Sequence, residues 1–207
     1  MATTPRIEPL TPPYEPGVGE MLRRWMPPEV AVEPLALFRT LAVHSELMSR
    51  ARPLGAGILA HGRVAPRDRE IVILRTCARA GAEYEWGVHA AAFGRATGLT
   101  AQQIAATAAD TPDALDTPGA PDAAVWTAAD AALLRLADEL HDSAAVSDEL
   151  WSKLAAGYSE EQLLELLVIA GWYRLLAYVI NGSRIPLEPW APRFPASTHA
   201  GAQARDL

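Results

Sequence analysis

The chain has 207 residues, half of them hydrophobic, a net charge of −7 and one cysteine, Cys77. That length suits a single domain with a sizeable core. The acidic balance excludes a partner that needs a basic face, so no nucleic-acid partner is expected. A lone thiol excludes an internal disulfide and a metal site built on cysteines.

Residues 1–17 carry Pro5, Pro9, Pro12, Pro13 and Pro16 and read as an extended N-terminal arm. The arm has no apolar secretory core, and no apolar run approaches the ~18 residues of a membrane span. A cytoplasmic protein with no membrane partner is the expectation. A helical domain follows over 18–184, with helices expected at 18–26, 34–45 and 46–61. Pro66 opens the next, 66–80, from a first helical position. Gly81 and Gly98 bound a helix over 82–97. Thr100 with Gln103, Thr127 with Asp130, and Ser159 with Gln162 have capping-box spacing and start helices at 100–108, 127–142 and 159–181. Another helix spans 147–156, ended by Gly157, and Asn181-Gly182 reads as the stop of the last one. Between them, 110–124 holds three prolines and four aspartates and reads as a loop. The tail, 185–207, is expected to be extended. Alternating runs with hairpin turns are absent, so the fold class is all-α.

Three polar residues, Glu70, Glu85 and His89, stand out against the apolar pattern. From Trp86 to Gly94 the fifth helix is apolar on every side except at His89, and a helix of that kind is normally buried. Glu85 lies four residues before His89, on the same face. A carboxylate and an imidazole held together in a dry place shift each other's pKa and can set a proton donor near neutrality. Such a pair also occurs on helix surfaces or as a satisfied core histidine. Glu70, in the first turn of the preceding helix, suits the helix dipole there. It also shares a stripe with Leu74 and Cys77 that looks inward, while Arg69 and Arg79 are placed to reach solvent. Cys77 reads as a small packing residue. Trp25, Trp86, Trp126, Trp151 and Trp172 read as core or interface anchors, and Trp86 is also placed to line a pocket. The last helix is apolar on several faces but interrupted by Glu165 and Arg174, which suits a buried central helix or a subunit interface. The five histidines show no metal-ligand spacing, so no metal is expected.

The runs RDREIVILR and LRTCARAGAEYEWGVHAAAFGRATGL, with LALFRTLAVHSELM before them and GWYRLLAYVINGSRIPLE after, resemble the carboxymuconolactone decarboxylase family, which shares its fold with the alkylhydroperoxidase D (AhpD) family. The resemblance covers most of 34–188 and implies an AhpD-like helical bundle. Redox members of that fold carry Glu, then C-x-x-C, then His. On this chain the glutamate and histidine fall on Glu70 and His89, and the two cysteines on Ala82 and Glu85. A dithiol cycle needs an attacking and a resolving thiol, which this pattern lacks. The resemblance therefore implies the decarboxylase branch: a cofactor-free lyase for a small unsaturated carboxylic acid or lactone. His89 would give or take the proton, Glu70 would orient it, and Glu85 would be the second acid–base group. Tyr84 and Trp86 would shape the pocket wall. Isomerisation and lactone opening use the same set. The alternatives are an AhpD-like peroxidase working through another thiol, and a non-catalytic binding or scaffold protein. Family members assemble, which implies a homo-oligomer: a trimer, hexamer or dimer.

Overall fold

The computed structural model describes residues 4–26, 33–109 and 125–195. The loop expected at 110–124 and the tail beyond 195 lie outside the described residues. The described residues are all-α, with no strand among them. The elements are α1 (Pro16–Trp25), α2 (Ala36–Leu41), α3 (Ser45–His61), α4 (Pro66–Arg79), α5 (Glu83–His89), α6 (Ala101–Ala106), α7 (Ala128–Ser143), α8 (Asp148–Ala155) and α9 (Glu160–Ser183). A 3-10 turn, Ala42–His44, separates α2 from α3, and a π-helical turn, Ala90–Gly94, follows α5.

The helix ends follow from the residues that sit there. Thr100, Thr127 and Ser159 each accept a backbone N–H three residues on, while Gln103, Asp130 and Gln162 reach back to close the box. Gly81 (φ +62°) and Gly98 (φ +86°) supply left-handed stops that cost a glycine nothing. Two stops differ from expectation. Helix α9 runs through Asn181-Gly182 and ends on Arg184 at φ 55°. There Arg184 N–H donates to Asn181 O at 3.3 Å and Ile185 N–H donates to Ile180 O at 3.1 Å, and Ile185 is buried. This pair of bonds with its apolar contact offsets the ~1–2 kcal/mol that a side chain costs in that conformation. Helix α7 likewise ends on Ala144 at φ 56°.

Helix α4 is the centre of the bundle. Every residue from Arg69 to Cys77 is buried, and the helix packs against α5, α7 and α9. Arg75 grips Asp138 of α7 in a two-pronged ion pair, 2.7 and 3.0 Å, and donates to the carbonyls of Thr107 and Ala109. This anchors α4, α7 and the end of α6 together. By length and composition α9 could cross a membrane, contrary to the expectation that no apolar run is long enough. Half of its most apolar stretch is buried here, with Leu163, Leu166, Ile169, Trp172, Tyr173 and Ile180 turned into the core. Leu22, Ala42 and Met48 form a small second core beside α1–α3, where Trp25 packs on Phe38 at 4.7 Å. The arm crosses the far end of α9, where Arg6 N–H donates to Ser183 O at 2.8 Å. Trp86, Trp126 and Trp172 are core residues, whereas Trp151 is 40% exposed on α8 and anchors nothing in the core.

Candidate active site

Glu70 stands in the second turn of α4, past the dipole-favoured first turn, which Asp68 occupies. It is wholly buried, so helix-end electrostatics do not explain it. Across from it, α5 carries Glu85 and His89 one turn apart, both buried. His89 Nδ1–H donates to Glu70 Oε2 at 2.8 Å, a charge-assisted bond between the two helices. On the other side of the ring, Nε2 stands 3.6 Å from Glu85 Oε1, beyond hydrogen-bond length. Glu85 Oε2 is buried with no hydrogen-bond partner. An orphaned carboxylate oxygen in a native core is costly and calls for an explanation.

Burial pushes the His89 imidazolium down, but the charge and hydrogen bond of Glu70, reinforced by those of Glu85, outweigh it and raise the pKa from 6.5 to about 9. The ring is therefore protonated at neutral pH, with a proton on each nitrogen. Its Nδ1 proton is committed to Glu70, and its Nε2 proton faces the unsatisfied carboxylate. Arg69 is buried rather than solvent-facing as its stripe suggested. Its Nε lies 3.5 Å from Glu70 Oε1, and it donates to Leu59 O at 3.2 Å. Glu70 thus sits between two cations. Arg79 does reach solvent in part and pairs with Asp142 at 2.6 Å.

Aromatic rings fix the imidazole. Tyr173 of α9 meets it edge-on, centroids 4.9 Å apart at 88°, and Phe93 lies 5.0 Å away. Tyr173 is buried and Phe93 half-buried, which makes Phe93 the ring between His89 and the surface. Phe93 follows His89 by four residues and lies within the π turn Ala90–Gly94; single π turns recur at functional sites. Phe93 has the same spacing from His89 that joins Glu85 to His89, whereas Tyr173 depends on long-range packing that periodicity does not mark. The one available signal for Tyr173 was its place in a helix apolar on several faces.

Three of the five expected site residues converge and two do not. The Tyr84 hydroxyl donates to Glu188 Oε1 at 2.7 Å and accepts Leu37 N–H at 3.1 Å, tying α5 to α2 and the C-terminal segment. Trp86 Nε1–H donates to Thr107 Oγ1 at 2.9 Å, and its ring packs on Phe194. Both are occupied in holding α5 in place. Cys77 is wholly buried, and burial first, then the charges of Glu85 and Glu70, push its thiol up, away from the reactive thiolate. Ala82, which with Glu85 occupies the cysteine positions of the redox pattern, is buried as well. No group of three or more His, Cys, Asp or Glu among the described residues is arranged to hold a metal.

Residues 45–130, which include all three converging side chains, match the family model of the carboxymuconolactone decarboxylase family. No curated protein is significantly similar in sequence. Solved structures share the fold, among them the following two. A peroxidase-related protein from a Silicibacter species superposes with a TM-score of 0.72 at 13% identity, over 93% of this chain and 99% of its own. A candidate AhpD antioxidant defence protein of unknown function from Agrobacterium tumefaciens superposes with a TM-score of 0.59 at 20% identity, over 70% of this chain and 92% of its own.

Proposed function

We propose that this protein, whose residues 45–130 match the family model of the carboxymuconolactone decarboxylase family, is a general acid–base lyase that works in the cytoplasm without a cofactor. Its substrate is a small unsaturated carboxylic acid or lactone whose carboxylate is carried on a saturated carbon next to a C=C bond conjugated with a carbonyl. One observation carries this reading: a protonated, buried imidazole is held on one side by Glu70 and faces an unsatisfied carboxylate, Glu85, on the other.

In the proposed reaction the bond to the carboxylate breaks, CO₂ leaves, and the electron pair moves into the conjugated carbonyl as a dienolate. Carbon then takes the proton from His89 Nε2. Glu70 stabilises the imidazolium before the transfer and keeps the ring aimed during it. Glu85 returns a proton from solvent to Nε2, so the net change is one proton consumed per CO₂ released. Positioned acids of this kind contribute ~10²–10⁴-fold. With the three side chains almost fully screened from solvent, a substrate reaches Nε2 by displacing a covering group, and half-buried Phe93 is the ring placed to move. Isomerisation or lactone opening would use the same proton.

The descriptions of the two structural neighbours suggest an antioxidant role instead. A thiol route would have to pass through Cys77, whose thiol is held protonated by its surroundings and has no second cysteine in the chain to resolve it. The acid–base reading is favoured on that ground. The test is turnover of a γ-carboxylated unsaturated lactone, followed by loss of its ultraviolet absorbance. His89→Ala should fold and lose turnover, and Cys77→Ser should retain it. Full activity in His89→Ala, or peroxide consumption that disappears in Cys77→Ser, would overturn the reading.

Self-association belongs to the same proposal. Leu164, Val168, Leu175 and Tyr178 make an exposed apolar stripe along α9, the kind of surface a second copy covers.

A further inference from the structure

A second cleft lies away from the Glu70–His89 pair, between α7 and α9 with α4 as its floor. Its volume is about 200 Å³, and none of the three converging side chains lines it. Leu140 and Leu167 are among its apolar walls, while Thr76, His141 and Arg174 supply the polar groups. Gly171 lines it on the α9 side, and a Cβ there would meet nothing within 4 Å.

The polar groups are set for a negative charge that no carboxylate among the described residues supplies to Arg174. Arg174 has no carboxylate partner among the described residues. It donates instead to His141 Nδ1 at 2.6 Å and to the Tyr178 hydroxyl at 3.0 Å. A guanidinium can only donate, so Nδ1 accepts and the His141 proton sits on Nε2. Burial, then the charges of Arg174 and Arg79, hold that imidazole below its ordinary range, while Asp142 and Asp138 oppose them weakly. Those two acids are spoken for by Arg79 and Arg75. Thr76 adds a second, independent sign: it is buried in the cleft floor, and its hydroxyl has no hydrogen-bond partner.

We propose that this cleft binds a small monocarboxylate with a compact apolar body, its carboxylate on Arg174 and His141 and its body against Leu140 and Leu167. An apolar cavity of roughly 150 Å³ takes up benzene, so the volume here suits a ring of that size with one carboxylate. Guanidinium recognition of a carboxylate supplies orientation as well as attraction.

Sodium benzoate is the probe, titrated into the full-length protein at millimolar concentrations and read by calorimetry and by the amide shift of Gly171. Benzoate should bind and move that amide, and neutral benzamide should bind far more weakly. Arg174→Gln should weaken benzoate by about tenfold or more, the loss expected for a charge-assisted hydrogen bond. Gly171→Leu, whose side chain grows into open space, should block binding while leaving the thermal transition in place. Turnover at His89 should survive both variants, since neither residue belongs to that site. No shift at Gly171 with benzoate, equal binding of benzamide, or undiminished binding in either variant would overturn the assignment.

Discussion

Replacing Glu70 by glutamine keeps the shape of the side chain and removes its charge. In the native protein that charge, 2.8 Å from His89 Nδ1, is the main favourable influence on the imidazolium. Moving a pKa from 6.5 to about 9 corresponds to roughly 3 kcal/mol of preference for the charged ring in the folded state. Without Glu70, burial dominates and the ring should titrate at or below its ordinary value. The shift has a consequence for stability, with a definite sign. The folded pKa lies above the unfolded one, so the contribution is complete below pH 6.5 and is lost as pH rises through about 9. The wild type should therefore lose up to ~3 kcal/mol across that window relative to Glu70→Gln, whose profile should be flatter. Ring-nitrogen NMR gives the His89 titration in each protein, and urea unfolding across the same pH range gives the stability. A His89 pKa still near 9 in Glu70→Gln, or parallel stability profiles, would refute the coupling.

Other expectations follow from contacts elsewhere in the fold. Asp138→Asn leaves Arg75 buried against a neutral partner, and urea unfolding should show a loss of about 3–5 kcal/mol, the usual result of breaking one side of a buried pair. At Gly87 a Cβ would come within 2.4 Å of Pro192 O and 3.2 Å of Ala191 Cβ. Gly87→Ala should thus loosen the C-terminal segment from α5, costing roughly 1–3 kcal/mol and speeding proteolysis there. Leu175→Glu, in the middle of the exposed α9 stripe, should turn an oligomer into a monomer by light scattering without changing its circular dichroism. A wild type that already runs as a monomer would remove that stripe as an interface.

Much of this arrangement is legible in the sequence, and the rest is hidden for physical reasons. Glu85 and His89 share a helix face by spacing alone, and three capping boxes appear where Ser or Thr precedes Gln or Asp by three. That Glu70 meets His89 is a matter of how α4 packs on α5, which periodicity does not encode; the family resemblance supplied it. The burial of Arg69 is concealed by its charge, because a guanidinium beside Glu70 and Leu59 O is as well satisfied as one in water. Tyr84 reads as a pocket residue beside Glu85, yet its hydroxyl finds Glu188, more than a hundred positions away. The π turn after His89 depends on a hydrogen-bond register that apolar spacing cannot mark. Helix α9 is apolar nearly all round, so its pattern does not say that Leu163 and Leu166 turn inward while Leu164 and Leu175 stay exposed.

The most direct test is the pH dependence of kcat/KM for decarboxylation of a γ-carboxylated unsaturated lactone by the wild-type protein. If His89 is the proton donor, activity persists through neutrality and falls with loss of one proton as pH rises through about 9. Activity that stays level, or climbs, across that range would mean that a protonated His89 is not what the reaction uses.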